Sequence, residues 1–196
     1  LGETLITGIG QGYTQTTPIQ LCLMTAQIAN GGYKIKPKIL TDDNQLTSEQ
    51  ITKAMENSKL NNLYQPLFLN QKNIKIIQEA MFSSTNELRG TSYKSRIDDP
   101  KYQFAGKTGT AQVKRISKRE RELDLKTFQI PYKERDHALY VAFGPYINPR
   151  YALSIIVEHG GSGSAAAAPM AKELFKLIID KHQIRKQSPD YKEFNI

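Results

Sequence analysis

Two short apolar segments close together in the second half of the chain constrain its fold most strongly. Residues 137–145 and 151–158 are mostly apolar, and only a turn at 148–150 separates them. Two such runs joined by a Pro-containing turn predict an antiparallel β-hairpin. Glycines at 160–163 end it, and apolar residues at helical spacing then predict a C-terminal helix, which Pro169 either begins or kinks. This order predicts an α+β fold, an antiparallel sheet with helices packed on it.

Local signals elsewhere predict two more helices and one more strand. Thr17 and Gln20 have the spacing of a capping box and predict a helix start, and the two glycines after Asn30 predict its end. Apolar side chains at 74–81 recur at helical spacing. Residues 104–113 have the composition of an extended strand.

The polar segments predict surface structure. Residues 41–70 are rich in asparagine and predict an irregular segment with a weak helical pattern at 48–55. The charged segment 114–133 is expected to form a long loop or a short exposed helix. No apolar run approaches the roughly 20 residues needed to cross a bilayer, and no signal peptide is visible.

Composition argues against several classes of function. The 196 residues are sufficient for one core, and the net charge of +8 would suit an anionic partner. The cations alternate with acids, however, as at 118–122, and no nucleic-acid-binding motif is present, so we expect no nucleic-acid partner. The three histidines lack metal-ligand spacing, and the single cysteine, Cys22, is expected in the core. We therefore predict no metal and no other cofactor.

Four consecutive residues in the third predicted strand are the candidate site: Lys107, Thr108, Gly109 and Thr110. The lysine supplies a cation for a carboxylate, and the two hydroxyls supply hydrogen bonds to it. The glycine lets a peptide backbone approach the strand, and the backbone N–H of Thr110 is a candidate oxyanion donor, a contact worth about 3–4 kcal/mol of barrier. A phosphate-binding loop would need glycine in place of Lys101 and a helix after the motif, so we exclude it. A lysine on an exposed strand beside a turn glycine remains an alternative for the triplet alone.

In serine acyltransferases that recognise penicillin, Lys-Thr-Gly accompanies Ser-x-x-Lys and Ser-x-Asn. No lysine of this chain has a serine three residues before it, and residues 91–94 come nearest, with threonine in that place. Residues 84–86 spell Ser-Thr-Asn, but they follow a predicted helix and are expected to match by chance. The chain is therefore predicted to contain no catalytic nucleophile.

Longer collinear segments resemble class B penicillin-binding proteins, in their penicillin-binding protein 2 branch. The matching segments are Gly-Ile-Gly-Gln-Gly-Tyr at 8–13, Thr-Pro-Ile-Gln at 17–20, Gly-Lys-Thr-Gly-Thr-Ala-Gln at 106–112, and two segments at 135–146 and 158–163. The resemblance implies the transpeptidase fold that penicillin-binding proteins share with serine β-lactamases, incomplete in this chain. It also implies that residues 1–183 are the C-terminal part of a transpeptidase domain and that 184–196 form a polar tail.

The resemblance implies a peptidoglycan D,D-transpeptidase that cross-links stem peptides through a serine acyl-enzyme and binds β-lactam antibiotics. Lys107, Thr108 and Gly109 would be catalytic-motif residues, and with Thr110 they would bind substrate. The nucleophilic serine would lie upstream, so this segment is expected to be inactive alone. The parent protein would act with other cell-wall synthesis proteins at the periplasmic face of the inner membrane, anchored by an N-terminal helix. A penicillin-sensing or peptidoglycan-binding module and a D,D-carboxypeptidase remain alternatives.

Overall fold

The chain folds as helices on both faces of one small sheet. The computed structural model describes residues 2–8, 10, 12–37, 66–67, 70–114, 122–123 and 125–187. Within these ranges the helices and strands are α1 (Gly2–Gly8), α2 (Pro18–Ala29), α3 (Gln71–Asn86), β1 (Ala105–Ala111), β2 (His137–Gly144), β3 (Tyr151–Val157) and α4 (Ala168–Lys186). Most of the segment 41–70 that was predicted to be irregular, with its helical pattern at 48–55, lies outside the described residues. So do residues 188–196 of the predicted tail 184–196, whereas residues 184–186 belong to α4.

The three strands form an antiparallel sheet in the order β1-β2-β3. Ala105 of β1 lies opposite Phe143 of β2, and the register continues to the pair Ala111 and His137. β2 and β3 form the predicted hairpin, in which Gly144 pairs with Tyr151. The expected α+β fold with an antiparallel sheet is confirmed, and β1 is an edge strand of the sheet that the described residues form.

The ends of α2 are those that local sequence signals predict. The Thr17 side chain accepts a hydrogen bond from the backbone N–H of Gln20, whose side chain accepts one from the N–H of Thr17 at 2.8 Å. At the other end Gly31 and Gly32 both have φ of +89°, and the N–H of Gly32 donates to the carbonyl of Gln27 at 2.7 Å. Only glycine adopts this left-handed backbone at no steric cost, so the helix stops here.

Three segments add detail to the predictions. A π-helical turn, Gly163–Ala167, leads directly into α4, and Pro169 lies in the first turn of that α-helix. Within the described part of 114–133 the chain forms turns of 3-10 helix at Thr127–Gln129 and Tyr132–Glu134. The short helix α1 was not predicted, because its 7 residues are too few to show an apolar face at helical spacing, and none of them is buried.

The described residues cover the two faces of the sheet to different extents. On one face, which we call the covered face, α4 packs over alternate residues of β2 and β3. The buried residues of this core are Ile97, Phe104, Ala138, Tyr140, Ala142, Ala167, Ala168, Ala171, Phe175 and Ile179. On the other, the open face, α2 contacts β3 and α3 contacts β1. Its buried core consists of Met81, Ala105 and Phe143.

Candidate active site

A cavity of about 620 Å³ lies on the open face between α2 and α3. Met24 and Ile28 line it from α2, Ile77 lines it from α3, and Val141 lines it from the sheet. Its polar rim includes Lys107 of β1 and Thr91 of the segment that follows α3. An apolar pocket with a few polar groups at one edge is the usual form of a ligand site. The sequence-predicted lysine therefore lies beside a cavity.

Lys107 and Thr108 are held together on the edge strand. The Lys107 ammonium donates to the backbone carbonyl of Thr108 at 2.8 Å and lies 3.4 Å from its hydroxyl oxygen. Lys107 and Thr110 are exposed, whereas Thr108 and Gly109 are half-buried. All four residues belong to β1, and residues 112–114 that follow it are not helical, so the phosphate-binding loop remains excluded. The arrangement places a cation and hydroxyls along one strand, and groups of these kinds can bind a carboxylate.

Three glycines near this strand have different reasons to lack a side chain. A Cβ at Gly106 would overlap the hydroxyl of Tyr140, and a Cβ at Gly163 would overlap the carbonyl oxygens of Leu139 and Gly109. These two glycines are needed by the fold, because strand and turn approach other atoms too closely for any side chain. A Cβ at Gly109, by contrast, would meet nothing nearer than the Cβ of Leu139 at 3.4 Å, an ordinary contact. Packing among the described residues therefore gives no reason for glycine at position 109.

A cluster of buried hydroxyls lies directly behind the strand. The Tyr140 hydroxyl is 2.9 Å from the Thr85 hydroxyl and 3.0 Å from the Ser92 hydroxyl, and all three residues are buried. Burial raises the pKa of Tyr140, and the hydrogen bonds from Ser92 and Thr85 oppose that rise. The phenol is thus a neutral group that joins the end of α3 to the sheet. Sequence reasoning missed this cluster because Tyr140 is 48 residues from Ser92 and 55 from Thr85 in the chain.

The Ser-Thr-Asn letters at 84–86 lie in the last turn of α3. Ser84 is 3.2 Å from the hydroxyl of Thr91, and Thr85 belongs to the buried cluster. The Asn86 amide donates to the backbone carbonyl of Phe104 at 2.9 Å, immediately before β1. These contacts hold β1 against α3. Residues 84–86 therefore have structural roles.

The histidines have structural contacts. Asp136 and His137 do not act as a pair: the Asp136 carboxylate accepts from the N–H of Val113 at 3.2 Å, and His137 Nδ1 accepts from the N–H of His159 at 2.9 Å.

Cys22 is half-buried, its thiol donates to the carbonyl of Ala152 at 3.4 Å, and burial raises its pKa. Within the described residues no group of three or more candidate ligands is placed to hold a metal ion. No helix among them has the length and apolar character to span a bilayer.

Comparison with known protein families assigns the chain to one family. The family model described as the penicillin-binding protein transpeptidase domain matches residues 2–176. The chain therefore belongs to the family of penicillin-binding protein transpeptidase domains. This confirms the sequence-based resemblance and the expected fold.

Within the family the chain is similar to enzymes of the penicillin-binding protein 2 type. It is 32% identical over 179 residues to the peptidoglycan D,D-transpeptidase MrdA of Salmonella typhimurium, covering 91% of this chain and 27% of that protein. It is 35% identical over 190 residues to MrdA of Acinetobacter baumannii, covering 96% of this chain and 25% of that protein. The chain thus spans about a quarter of the length of these relatives.

Solved structures give the same result. The crystal structure of Pseudomonas aeruginosa PBP2 in complex with WCK 5153 has a TM-score of 0.64 and 34% identity, covering 90% of this chain and 33% of that one. The complex between PBP2 and MreC from Helicobacter pylori has a TM-score of 0.63 and 30% identity, covering 93% of this chain and 28% of the matched one.

Proposed function

We propose that the chain is the C-terminal part of the transpeptidase domain of a peptidoglycan D,D-transpeptidase of the penicillin-binding protein 2 type. The parent protein would cross-link stem peptides in cell-wall synthesis through a serine acyl-enzyme and would bind β-lactams. The observation that supports this most strongly is the Lys-Thr-Gly-Thr sequence on an edge strand beside an apolar cavity. The names of the relatives supply the reaction.

Each residue of the strand has a role in this proposal. Lys107 supplies the positive charge for the carboxylate of the acyl donor, and the hydroxyls of Thr108 and Thr110 supply hydrogen bonds to it. The backbone N–H of Thr110 stabilises the oxyanion of the tetrahedral intermediate. Gly109 leaves room for the donor peptide to lie along β1, because a methyl group there would project towards the ligand without disturbing its neighbours within the chain.

The nucleophile and its base come from outside this segment. No lysine of the chain has a serine three residues before it, so Ser-x-x-Lys is absent from its whole sequence. Positioning and oxyanion stabilisation accelerate nothing without an attacking group. We propose that the remainder of the parent supplies the serine at the mouth of the cavity. The parent would work at the periplasmic face of the inner membrane, with other cell-wall proteins as partners.

Labelling with a fluorescent penicillin tests this proposal. We expect the 196-residue segment to stay unlabelled, because it lacks the nucleophile, and the full-length protein to form a stable covalent adduct. In the full-length protein Lys107→Ala should lower the acylation rate by roughly a hundredfold, the scale on which loss of a transition-state contact acts. Lys176→Ala is the matched control, since that lysine faces Glu173 on α4, away from the cavity. Labelling of the isolated segment would show that our account of the nucleophile is wrong, and an unchanged rate in Lys107→Ala would remove that residue from the site.

A further inference from the structure

A row of three hydroxyls joins the end of α3 to the strand that contains the Lys-Thr-Gly sequence. The Ser84 hydroxyl oxygen is 3.2 Å from that of Thr91, which is 3.3 Å from that of Thr108. Thr91 is exposed and lines the cavity on the same rim as Lys107. It belongs to none of the motifs from which the site was predicted.

The backbone around Thr91 is held firmly in place. A Cβ at Gly90 would overlap the carbonyl oxygen of Ser84, so the chain turns against the last turn of α3 as only glycine allows. The N–H of Ser92 donates to that same carbonyl at 3.0 Å. The Ser92 side chain is buried and contacts the Tyr140 hydroxyl at 3.0 Å. With Ser92 anchored inside, its neighbour Thr91 is directed outwards to Thr108.

The hydrogen-bonding capacity of Thr108 assigns a role to this contact. A hydroxyl has one donor hydrogen and two acceptor lone pairs. The Lys107 ammonium can only donate, and it lies 3.4 Å from the Thr108 hydroxyl oxygen. If Thr91 donates as well, with Ser84 donating to Thr91 in turn, both lone pairs of Thr108 are occupied. The remaining hydrogen of Thr108 then points away from the protein groups and is available to an anion.

We propose that Thr91 is a positioning residue that makes the Thr108 hydroxyl a hydrogen-bond donor to the carboxylate of the acyl donor. It acts through Thr108 and does not itself touch the substrate. The role rests on the proposed function, because the carboxylate is that of a stem peptide or a β-lactam. Its chemistry is specific: the contribution of Thr91 exists only for a ligand that bears the anion and only while Thr108 retains its hydroxyl.

The test measures acylation of the full-length protein by a penicillin. Thr91→Val keeps the shape of the side chain and removes the hydroxyl, and we expect the second-order acylation rate to fall roughly three- to tenfold, as for one lost hydrogen bond. Thr91→Ala removes the same hydroxyl with less bulk and should behave alike. Thr91→Ser keeps a hydroxyl at this position, and its acylation rate should stay within about twofold of that of the unsubstituted full-length protein.

Two further measurements distinguish positioning from a general structural effect. In a Thr108→Val background, Thr91→Val should change the acylation rate no further, because the hydroxyl through which it acts is gone. With the penicillin methyl ester, which lacks the carboxylate, the unsubstituted protein and the Thr91→Val variant should be acylated at equal rates. If Thr91→Val still lowers the acylation rate in the Thr108→Val background or with the ester, the proposal for Thr91 is wrong. It is also wrong if Thr91→Val is acylated by penicillin as fast as the unsubstituted protein. Absence of any labelling of the parent protein would overturn the proposed function itself, and the role of Thr91 with it.

Discussion

The covered and open faces of the sheet differ in how completely the described residues bury them. On the covered face Phe104 and Phe175 are fully buried, and their rings stack with centroids 4.8 Å apart. On the open face Met24 and Ile77, which line the cavity, are 44% and 38% exposed. One face thus provides most of the apolar burial that stabilises the sheet, since burial is the main favourable term in folding.

This difference suits the proposed use of the edge strand β1 as a binding site. A ligand-binding strand must keep its geometry while leaving one side accessible. The covered face holds β1 from behind, through Phe104 just before it and through the hydroxyl cluster of Tyr140, Thr85 and Ser92. The open face can then leave Lys107 at the rim of a cavity without loss of the strand.

The largest expected effect tests whether the covered face supplies the stability. Phe175→Ala should lower the free energy of unfolding of the 196-residue chain by about 3–5 kcal/mol, because it removes a fully buried ring that stacks on Phe104. Ile77→Ala, on the open face, should lower it by less than about 1 kcal/mol, because much of that side chain is already exposed. Urea unfolding followed by circular dichroism measures both. Equal losses would contradict the difference between the faces.

An intermediate effect separates two glycines of the same strand. Gly106→Ala should destabilise the chain by about 1–3 kcal/mol, because the new methyl group collides with the hydroxyl of Tyr140 behind the strand. Gly109→Ala should change the folding free energy by no more than about 0.5 kcal/mol, since its Cβ has room.

In the full-length protein Gly109→Ala should nonetheless slow acylation by penicillin, because in our proposal the ligand lies along β1 beside this residue. Thermal unfolding and penicillin labelling of both variants provide the comparison. Comparable melting temperatures for the two variants, or full acylation by Gly109→Ala, would show that the two glycines are not divided into a folding and a binding role.

The smallest expected effect concerns the hydroxyl cluster and pH. The pKa of Tyr140 is raised in the folded chain, whereas the unfolded tyrosine ionises near pH 10. The resulting stabilisation is therefore fully present below about pH 10 and is lost as the pH rises towards the folded pKa. Near pH 10.5 this loss should amount to under about 1 kcal/mol.

Tyr140→Phe removes the ionisable group. The free energy of unfolding of this variant should therefore fall less steeply above pH 10 than that of the unsubstituted chain. Urea unfolding between pH 8 and pH 11 measures the two slopes. Parallel slopes would show that the hydroxyl is not held neutral behind β1.

Much of the architecture followed from short-range sequence signals. The capping pair Thr17 and Gln20 predicted the start of α2, and the apolar runs on either side of 148–150 predicted the hairpin. These signals succeed because hydrogen bonds near a helix end and across a tight turn form between residues close in sequence. For the same reason the composition of residues 104–113 predicted the strand that contains Lys-Thr-Gly.

The surroundings of that strand depend on contacts between distant residues. Nothing in the local sequence indicates that Tyr140 reaches Thr85 and Ser92, or that Gly163 lies against the backbone of Gly109. The contact between Thr91 and Thr108 is likewise not indicated by the local sequence, because the two residues are 17 positions apart.

The amino-acid sequence by itself determined the helices and strands other than α1, the antiparallel order of the hairpin, the family and the strand on which Lys107 lies. Only the tertiary structure decided which face of that strand is covered, where the cavity lies and which hydroxyls meet Thr108. The physical reason is range. Propensity, capping and alternation act over a few residues, whereas burial and side-chain hydrogen bonding depend on how segments far apart in the chain come together.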